Sequence, residues 1–191
     1  MPRPRHSRAA RKSQVSTRVS RRPAAASTSE PPRLSHLDAR GQAHMVEIAD
    51  KPISSRVAVA RAQVRMLPAT LRLLMAGGAA KGDVLAVARV AGIQAAKRTP
   101  ELIPLCHSIA LTRCEIAFET RARTGLLQIE ARISALDRTG AEMEALTAVA
   151  VAALTVYDML KSVDRGMRIE ELVLHEKRGG RSGVWTRARG A

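Results

Sequence analysis

The chain has 191 residues, of which 46% are apolar, 26% charged and only 2% aromatic, so its length suits one domain with an aliphatic core. Its formal net charge is +15, and residues 1–33 hold nine Lys or Arg against a single acid. Scarce aromatic side chains argue against a protein that stacks nucleic-acid bases, and no apolar run reaches the roughly 18 residues of a membrane span, so we predict neither a nucleic-acid partner nor a membrane segment.

The first segment, residues 1–33, is rich in Arg, Ser, Pro and Ala and has almost no residue that could join a core. Such a composition does not offset the entropy of ordering, so we predict a disordered tail, followed by one catalytic domain over residues 34–191 whose last part, 177–191, is partly flexible. The tail's composition is also typical of an organelle transit peptide. Because Arg outnumbers Lys 26 to 6 in the whole chain, we favour a cytoplasmic protein with a dispensable extension.

The folded part begins with a segment of alternating character. Between residues 57 and 66, apolar residues occupy every even position, which predicts a half-buried strand. Pro68 then begins a short helix that ends near Met75, and residues 81–97 predict a second, Ala-rich helix. Prolines bracket the next segment, residues 100–107, which we predict to be a loop.

The second half of the domain predicts a hairpin, a long helix and a last strand. Apolar and polar residues alternate over 113–119 and 126–135, with a Thr-Gly turn between them. A long helix follows over about 140–163, and a strand over 168–176. One stripe of that helix is predicted to be buried, formed by Met143, Leu146, Ala150, Leu154 and Tyr157. Helices on one face of a largely antiparallel sheet make this an α+β protein.

Charged residues in the long helix are the first candidates for chemistry. Asp158 and Lys161 are three residues apart and therefore share a helical face. A surface ion pair would explain them, but Asp158 interrupts an apolar stretch, where a solvated pair is less expected. Glu142 and Glu144 lie in the first turn, where carboxylates also complement the helix dipole.

Two further segments have residues of reactive or binding types. Cys106 and His107 are adjacent, but no other Cys or His lies at metal-ligand spacing, and sequence neighbours rarely form a nucleophile–base pair, so we predict no metal site and no cysteine nucleophile. The glycine-rich segment 177–183 combines three cations with free backbone amides. It is suited to a polyphosphate, although an ordinary basic loop has the same composition.

Read as strings, five segments resemble the cyclic pyranopterin monophosphate synthase family, also called molybdenum cofactor biosynthesis protein C. The matching segments are KGDV at 81–84, ARVAGIQAAKRT at 88–99, LIPLCH at 102–107, TGAEMEALT at 139–147 and YDMLK at 157–161. The resemblance runs from about Leu34 to Trp185. The family usually has Pro after the Cys-His pair, where this chain has Ser108.

The resemblance implies a ferredoxin-like α+β fold assembled as a homohexamer of three dimers. It implies a small-molecule substrate, (8S)-3′,8-cyclo-7,8-dihydroguanosine 5′-triphosphate, converted to cyclic pyranopterin monophosphate with loss of pyrophosphate. By position, Asp158 matches the family's acid–base residue, and Lys161 and Lys81 match its catalytic lysines. The matched substrate-binding residues are Leu105, Cys106, His107, Met143 and Glu144, with Glu142 beside them. No cofactor is required, and Mg²⁺ is left open as a companion of the triphosphate.

The residue chemistry is consistent with such a reaction. Rearranging a purine into a pterin moves several protons, which a carboxylate beside an ammonium can donate and accept. Loss of pyrophosphate calls for cations around the triphosphate, for which Lys81, Lys177, Arg89 and Arg181 are candidates. Glu144 can accept hydrogen bonds from the guanine-derived N–H groups.

A binding protein remains the main alternative. A basic chain could bind RNA or polyphosphate without catalysing a reaction, its tail making most of the contacts. The acids Glu142, Glu144 and Asp158 would repel phosphate, and aromatic residues for stacking are missing. The salt dependence of nucleic-acid binding, with and without the tail, separates the two. An inactive scaffold of the same family is a third reading, but every matched catalytic position retains its functional type.

The spacing along the long helix makes one further prediction. Glu144 and Asp158 are 14 residues apart, which places their backbones roughly 21 Å from each other in a helix. Because one small substrate can hardly reach both, we predict that Glu144 of one subunit works with Asp158 of a neighbour. The alternative is that Glu144 merely caps its helix.

Overall fold

The computed structural model describes residues 37, 38 and 40–188, so the predictions for the tail 1–33 lie outside the described residues. In chain order its elements are β1 (Ser54–Arg65), α1 (Pro68–Met75), α2 (Val84–Lys97), α3 (Thr99–Leu102), β2 (Leu111–Arg121), β3 (Leu126–Asp137), α4 (Glu142–Leu160), β4 (Arg168–Arg178) and β5 (Trp185–Thr186).

The strands form one antiparallel sheet in the order β2-β3-β1-β4-β5. With helices between β1 and β2 and between β3 and β4, its first four strands have the ferredoxin-like arrangement, which confirms the α+β prediction. The predicted alternation in β1 is also confirmed, because Ala58, Ala60, Ala62 and Val64 are all buried beneath the helices. In register, Ala60 faces Ala131 of β3.

Small residues allow α2 and α4 to pack closely over the sheet. A side chain at Gly92 of α2 would collide with the Ile116 side chain of β2 and would lie 2.9 Å from the backbone carbonyl of Ala148 in α4. Only glycine fits this crossing, because the carbonyl belongs to a helix that cannot move aside. The crossing fixes α4, the helix that bears Asp158 and, in its first turn, Glu142, Met143 and Glu144.

The predicted buried stripe of α4 is wrong. Leu154 is 58% exposed and Met143 is exposed, while Leu146 and Tyr157 are only partly covered. The face that packs on the sheet and α2 is formed instead by Ala145, Ala148, Val149, Ala152, Ala153, Val156 and Leu160. Because α4 is apolar around most of its circumference, residue spacing alone did not distinguish its inner face from its outer face.

By length and composition α4 could also cross a membrane. Half of that stretch is buried inside the fold, as is usual for the core helix of a soluble domain, so the feature is weak support for a membrane span.

Several boundaries differ from the prediction for local reasons. The helix predicted from residue 81 begins at Val84, because the Asp83 side chain accepts a hydrogen bond from the Ala86 amide (2.9 Å) and caps it there. Residues Thr99–Leu102, predicted as part of a loop, form the short helix α3 with Pro100 in its first turn, a position where proline is favourable. Strand β5, which no alternating pattern in the sequence predicts, pairs with the end of β4.

A buried carboxylate joins the end of α4 to α1. Asp164 is 6% exposed, and its Oδ2 accepts hydrogen bonds from the Leu67 amide (2.8 Å) and the Thr70 hydroxyl (3.1 Å). Its Oδ1 accepts from the Gly166 amide at 3.0 Å. Since α1 has no side-chain cap of its own, Asp164 provides the acceptor at its N-terminus.

Replacing Asp164 with Ala is expected to lower the free energy of unfolding by about 3 kcal/mol, because three donors, among them the buried Thr70 hydroxyl, lose their partner and α1 loses its cap. Asp164→Asn retains one oxygen acceptor and should lose about 1 kcal/mol. Urea unfolding at a fixed protein concentration measures both. Equal stability of Asp164→Ala and the parent would show that Asp164 does not stabilise this junction.

Candidate active site

Three of the predicted residues meet at the C-terminal end of α4. Lys161 Nζ lies 2.6 Å from Asp158 Oδ1, and Lys81 Nζ lies 3.1 Å from Asp158 Oδ2. Lys81 also donates to the Asp158 backbone carbonyl at 3.0 Å. Lys81 reaches this point because α2 begins only at Val84, which leaves Lys81 in the preceding loop.

This triad is open to solvent in the single chain. The Asp158 side chain is 57% exposed, so the ion pair is solvated in the single chain, which the apolar stretch around Asp158 made less expected. Hydrogen bonds from Lys161 first, and from Lys81 second, hold the pKa of Asp158 below its ordinary value. In turn, Asp158 raises the pKa of Lys161. The pair therefore presents a carboxylate and an ammonium side by side at neutral pH.

Most other predicted residues meet at the opposite, N-terminal end of α4. A cavity of about 380 Å³ is lined there by Ile103, Leu105, Cys106, His107, Thr139, Gly140, Glu142 and Met143. His107 Nε2 lies 2.8 Å from the Val46 carbonyl. Because a carbonyl only accepts, Nε2 has the proton, and this nitrogen is occupied by Val46 rather than serving as a base for the Cys106 thiol.

Glu144 lies behind this cavity rather than in its lining. It is 1% exposed, its Oε1 accepts a hydrogen bond from the Cys106 thiol at 3.7 Å, and its Oε2 has no partner among the described residues. Burial raises the pKa of Glu144. A buried carboxylate oxygen without a donor is unfavourable, so this position favours a ligand that supplies N–H groups.

Burial, and then the Glu144 carboxylate, raise the pKa of Cys106 to about 11. Iodoacetamide should therefore alkylate Cys106 very slowly at pH 8, because only the thiolate reacts, and the rate should rise steeply above about pH 10. Cys114→Ser protein isolates this reaction by mass spectrometry, since Cys114 is the only other cysteine. Adding Glu144→Gln should shift the rate profile to lower pH. Rapid alkylation of Cys106 at pH 7 would contradict this assignment.

A larger basic cleft of about 620 Å³ adjoins the small cavity. The two share Thr139, Gly140 and Glu142 in their linings. The larger one is also lined by six cations, Lys51, Arg56, Arg138, Lys177, Arg178 and Arg181. Of these, only Lys177 and Arg181 were candidates from the sequence.

The glycine-rich loop between β4 and β5 forms one wall of the basic cleft. Gly179 and Gly180 have φ values of 99° and 71°, which favour glycine at both positions. A side chain at Gly179 would also collide with the Ser55 backbone carbonyl of β1, so glycine lets the loop lie directly against the strand. Lys177 Nζ lies 3.1 Å from Glu142 Oε1, which joins β4 to the first turn of α4.

Arg89 is not brought to either cluster. Its guanidinium lies 5.3 Å from the centre of the Phe118 ring and donates to the Ile116 carbonyl at 3.2 Å. These contacts attach α2 to the edge strand β2 and occupy the side chain that the sequence offered as a phosphate ligand.

The two clusters occupy opposite ends of one helix. Glu144 lies in the first turn of α4 and Asp158 in the last, which separates their backbones by roughly 21 Å at 1.5 Å per residue. Within the described range, no three His, Cys, Asp or Glu side chains are grouped so that they could hold a metal ion.

The known proteins that this chain resembles belong to one family. Residues 45–180 match the model of the MoaC family. The cyclic pyranopterin monophosphate synthase of Thermomicrobium roseum is 65% identical over 154 residues, which cover 81% of this chain and 93% of that protein. The enzyme of the same name from Chloroflexus aggregans is 55% identical over 159 residues, which cover 83% of this chain and 96% of that protein. The one from Chloroflexus aurantiacus is 56% identical over 156 residues, with coverage of 82% and 96%.

Proposed function

The chain belongs to the MoaC family, and from this premise we infer that it is a lyase that makes cyclic pyranopterin monophosphate in molybdenum cofactor biosynthesis. Its substrate is the cyclised dihydroguanosine triphosphate, and pyrophosphate is released. The observation that best supports this substrate is the buried, unpartnered Oε2 of Glu144 behind a cavity next to a basic cleft.

The two adjoining cavities suit the two ends of such a substrate. A guanine-derived ring has an amino group and a ring N–H, which can donate to a carboxylate such as Glu144 once the Cys106 thiol gives way. The triphosphate, with its several negative charges, suits the cleft lined by Lys51, Arg56, Lys177 and Arg181. The reacting ribose would then lie at the residues common to both cavities, near Thr139 and Glu142.

Cations around the phosphates have a second role in this reaction. When the cyclic phosphate forms, negative charge accumulates on the departing pyrophosphate, and fixed cations stabilise that charge in the transition state. Lys177 is well placed for this role because its ion pair with Glu142 holds it at the boundary of the two cavities. We propose that no metal ion is bound to the protein itself and that Mg²⁺ enters only with the triphosphate. Protein dialysed against EDTA should therefore hold no metal and still be active when it is assayed with the substrate.

The proton transfers are assigned to the triad at the other end of α4. Asp158, held as a carboxylate by two lysines, is suited to accept a proton, and Lys161, held as an ammonium, is suited to donate one. Lys81 keeps the Asp158 side chain in place through contacts with both its carboxylate and its backbone carbonyl.

These assignments require a second copy of the chain. One α4 holds the ring-binding end and the proton-transfer end roughly 21 Å apart, too far for one small substrate. The outer face of α4 has the apolar side chains of Leu154 and Met143, which the described residues leave exposed, as expected of a helix covered by a partner. We propose that two copies pack these faces antiparallel about a two-fold axis, and that three such dimers form a homohexamer.

The direct test is to incubate the purified full chain with the cyclised dihydroguanosine triphosphate. We expect a pterin that fluoresces after oxidation, with one pyrophosphate released per pterin. GTP itself, which lacks the new ring, is the matched control and should yield neither. Pyrophosphate without pterin, or binding without turnover, would contradict the proposed reaction and favour a polyphosphate-binding protein.

The cytoplasm is the compartment that we propose for this reaction. A fusion of residues 1–40 to a fluorescent protein tests this assignment. Diffuse cytoplasmic fluorescence is expected, and import into an organelle would replace it with the transit-peptide interpretation.

A further inference from the structure

We propose that Arg138 is a positioning residue that holds segment 46–51 against the basic cleft and thereby places Lys51 at the phosphate-binding end. The proposal rests on the proposed function, since it assumes that the cleft receives phosphate. Arg138 Nη1 donates to the backbone carbonyl of Lys51 at 2.6 Å and also to that of Ala49. Both Lys51 and Arg138 line the cleft.

Segment 46–51 depends on side chains from elsewhere in the fold for its position. It contains no helix or strand, and its internal contacts are a turn, in which the Lys51 amide donates to the Ile48 carbonyl at 3.0 Å, and hydrogen bonds to the Glu47 side chain. His107 holds its beginning through the Val46 carbonyl, and Arg138 holds its end. Loss of the second anchor would free Lys51 while leaving the first in place.

Arg138 is itself fixed by the strand beside it. Arg56 of β1 donates to the Arg138 carbonyl at 3.1 Å and to the Asp137 carbonyl at 3.2 Å. The Arg138 amide donates to its neighbour's carboxylate, Asp137 Oδ1, at 2.7 Å. The Arg138 guanidinium therefore projects from a restrained backbone, as is required of a side chain that positions another segment.

The contacts of the Arg138 and Lys51 side chains indicate different roles for the two residues. The protons of Arg138 Nη1 are directed at two carbonyl oxygens, which occupies this nitrogen in holding the chain. Lys51 forms no ion pair within the part of the chain that the structure describes, so its ammonium is available to an anion in the cleft. Arg138 thus acts on phosphate through Lys51.

The test is a double-mutant cycle on pyrophosphate binding, measured by calorimetry with the full chain. Lys51→Ala and Arg138→Gln should each raise the Kd about tenfold, as expected for loss of one charge-assisted contact. If Arg138 acts through Lys51, the double variant should bind within about twofold of Lys51→Ala alone, because coupled residues are not additive. Arg123→Gln, which removes an exposed charge far from the cleft, is the control and should bind as the parent does.

Two readouts separate positioning from a general loss of structure. Arg138→Lys should restore binding to within about threefold, because one ammonium can donate both hydrogen bonds. In Arg138→Gln, hydrogen exchange should accelerate at the amides of residues 48–51 and stay unchanged in α4.

Three results would overturn the proposal. Additive effects, with the double variant about a hundredfold weaker than the parent, would mean that Arg138 contacts phosphate itself. Unchanged exchange at residues 48–51 in Arg138→Gln would mean that Arg138 does not hold this segment. If the parent chain binds no pyrophosphate, the phosphate role of the cleft fails, and the role of Lys51 fails with it.

Discussion

Asp158→Asn protein is expected to lose turnover by about 10³-fold while it folds and assembles normally. The amide that replaces the carboxylate keeps its size but cannot accept a proton in the reaction. Lys161→Ala should have an effect of similar size, because it removes the nearest ammonium, 2.6 Å from Asp158. Pterin formation at saturating substrate measures kcat for each variant.

The exposure of the triad makes this experiment specific. Asp158 is 57% exposed in the single chain, so its replacement should leave the core unchanged. Glu115→Gln is the matched control, because Glu115 is also an exposed carboxylate paired with a cation, Arg113, on β2. Circular dichroism and gel filtration check folding and assembly. Turnover near that of the parent in Asp158→Asn protein would remove this residue from the mechanism.

Mixing two inactive variants is expected to restore about a quarter of the parent activity. In a dimer of Asp158→Asn and Glu144→Gln chains, the site formed by the unmodified Glu144 of one and the unmodified Asp158 of the other is intact. Equal mixing makes half of the dimers hybrid, and one of their two sites is active. The variants are dissociated in mild denaturant, mixed, reassembled and assayed.

A second mixture distinguishes a shared site from a site within one chain. The parent is mixed equally with the double variant Asp158→Asn/Glu144→Gln. If the sites are shared between subunits, both sites of a hybrid dimer take one residue from the double variant and are inactive. About a quarter of the activity then remains, whereas sites within single chains would retain about half. Half activity here, together with no recovery in the first mixture, would show that both residues act within one chain.

Local patterns in the sequence determined much of the fold. The alternation of β1 is directly visible, because a strand places every second residue on the same face and the even positions from Ala58 to Val64 are all apolar. The Thr-Gly turn before β3 is equally local, since Gly125 adopts a φ of 64° that other residues disfavour. The contact between Asp158 and Lys161 follows from their spacing on one helix.

The tertiary structure alone decided which face of α4 is buried and which cations meet. Apolar residues surround most of α4, so the choice between Ala148 and Leu154 as core residue depends on where α2 and the sheet lie. Lys51, Arg56 and Arg138 come from separate segments, and no spacing relates them before the chain folds. Arg89 shows the converse, because an arginine in a matching motif is held by Phe118 and Ile116 instead. Short-range periodicity records neighbours along one element, whereas a binding site is made by residues distant in sequence that packing brings together.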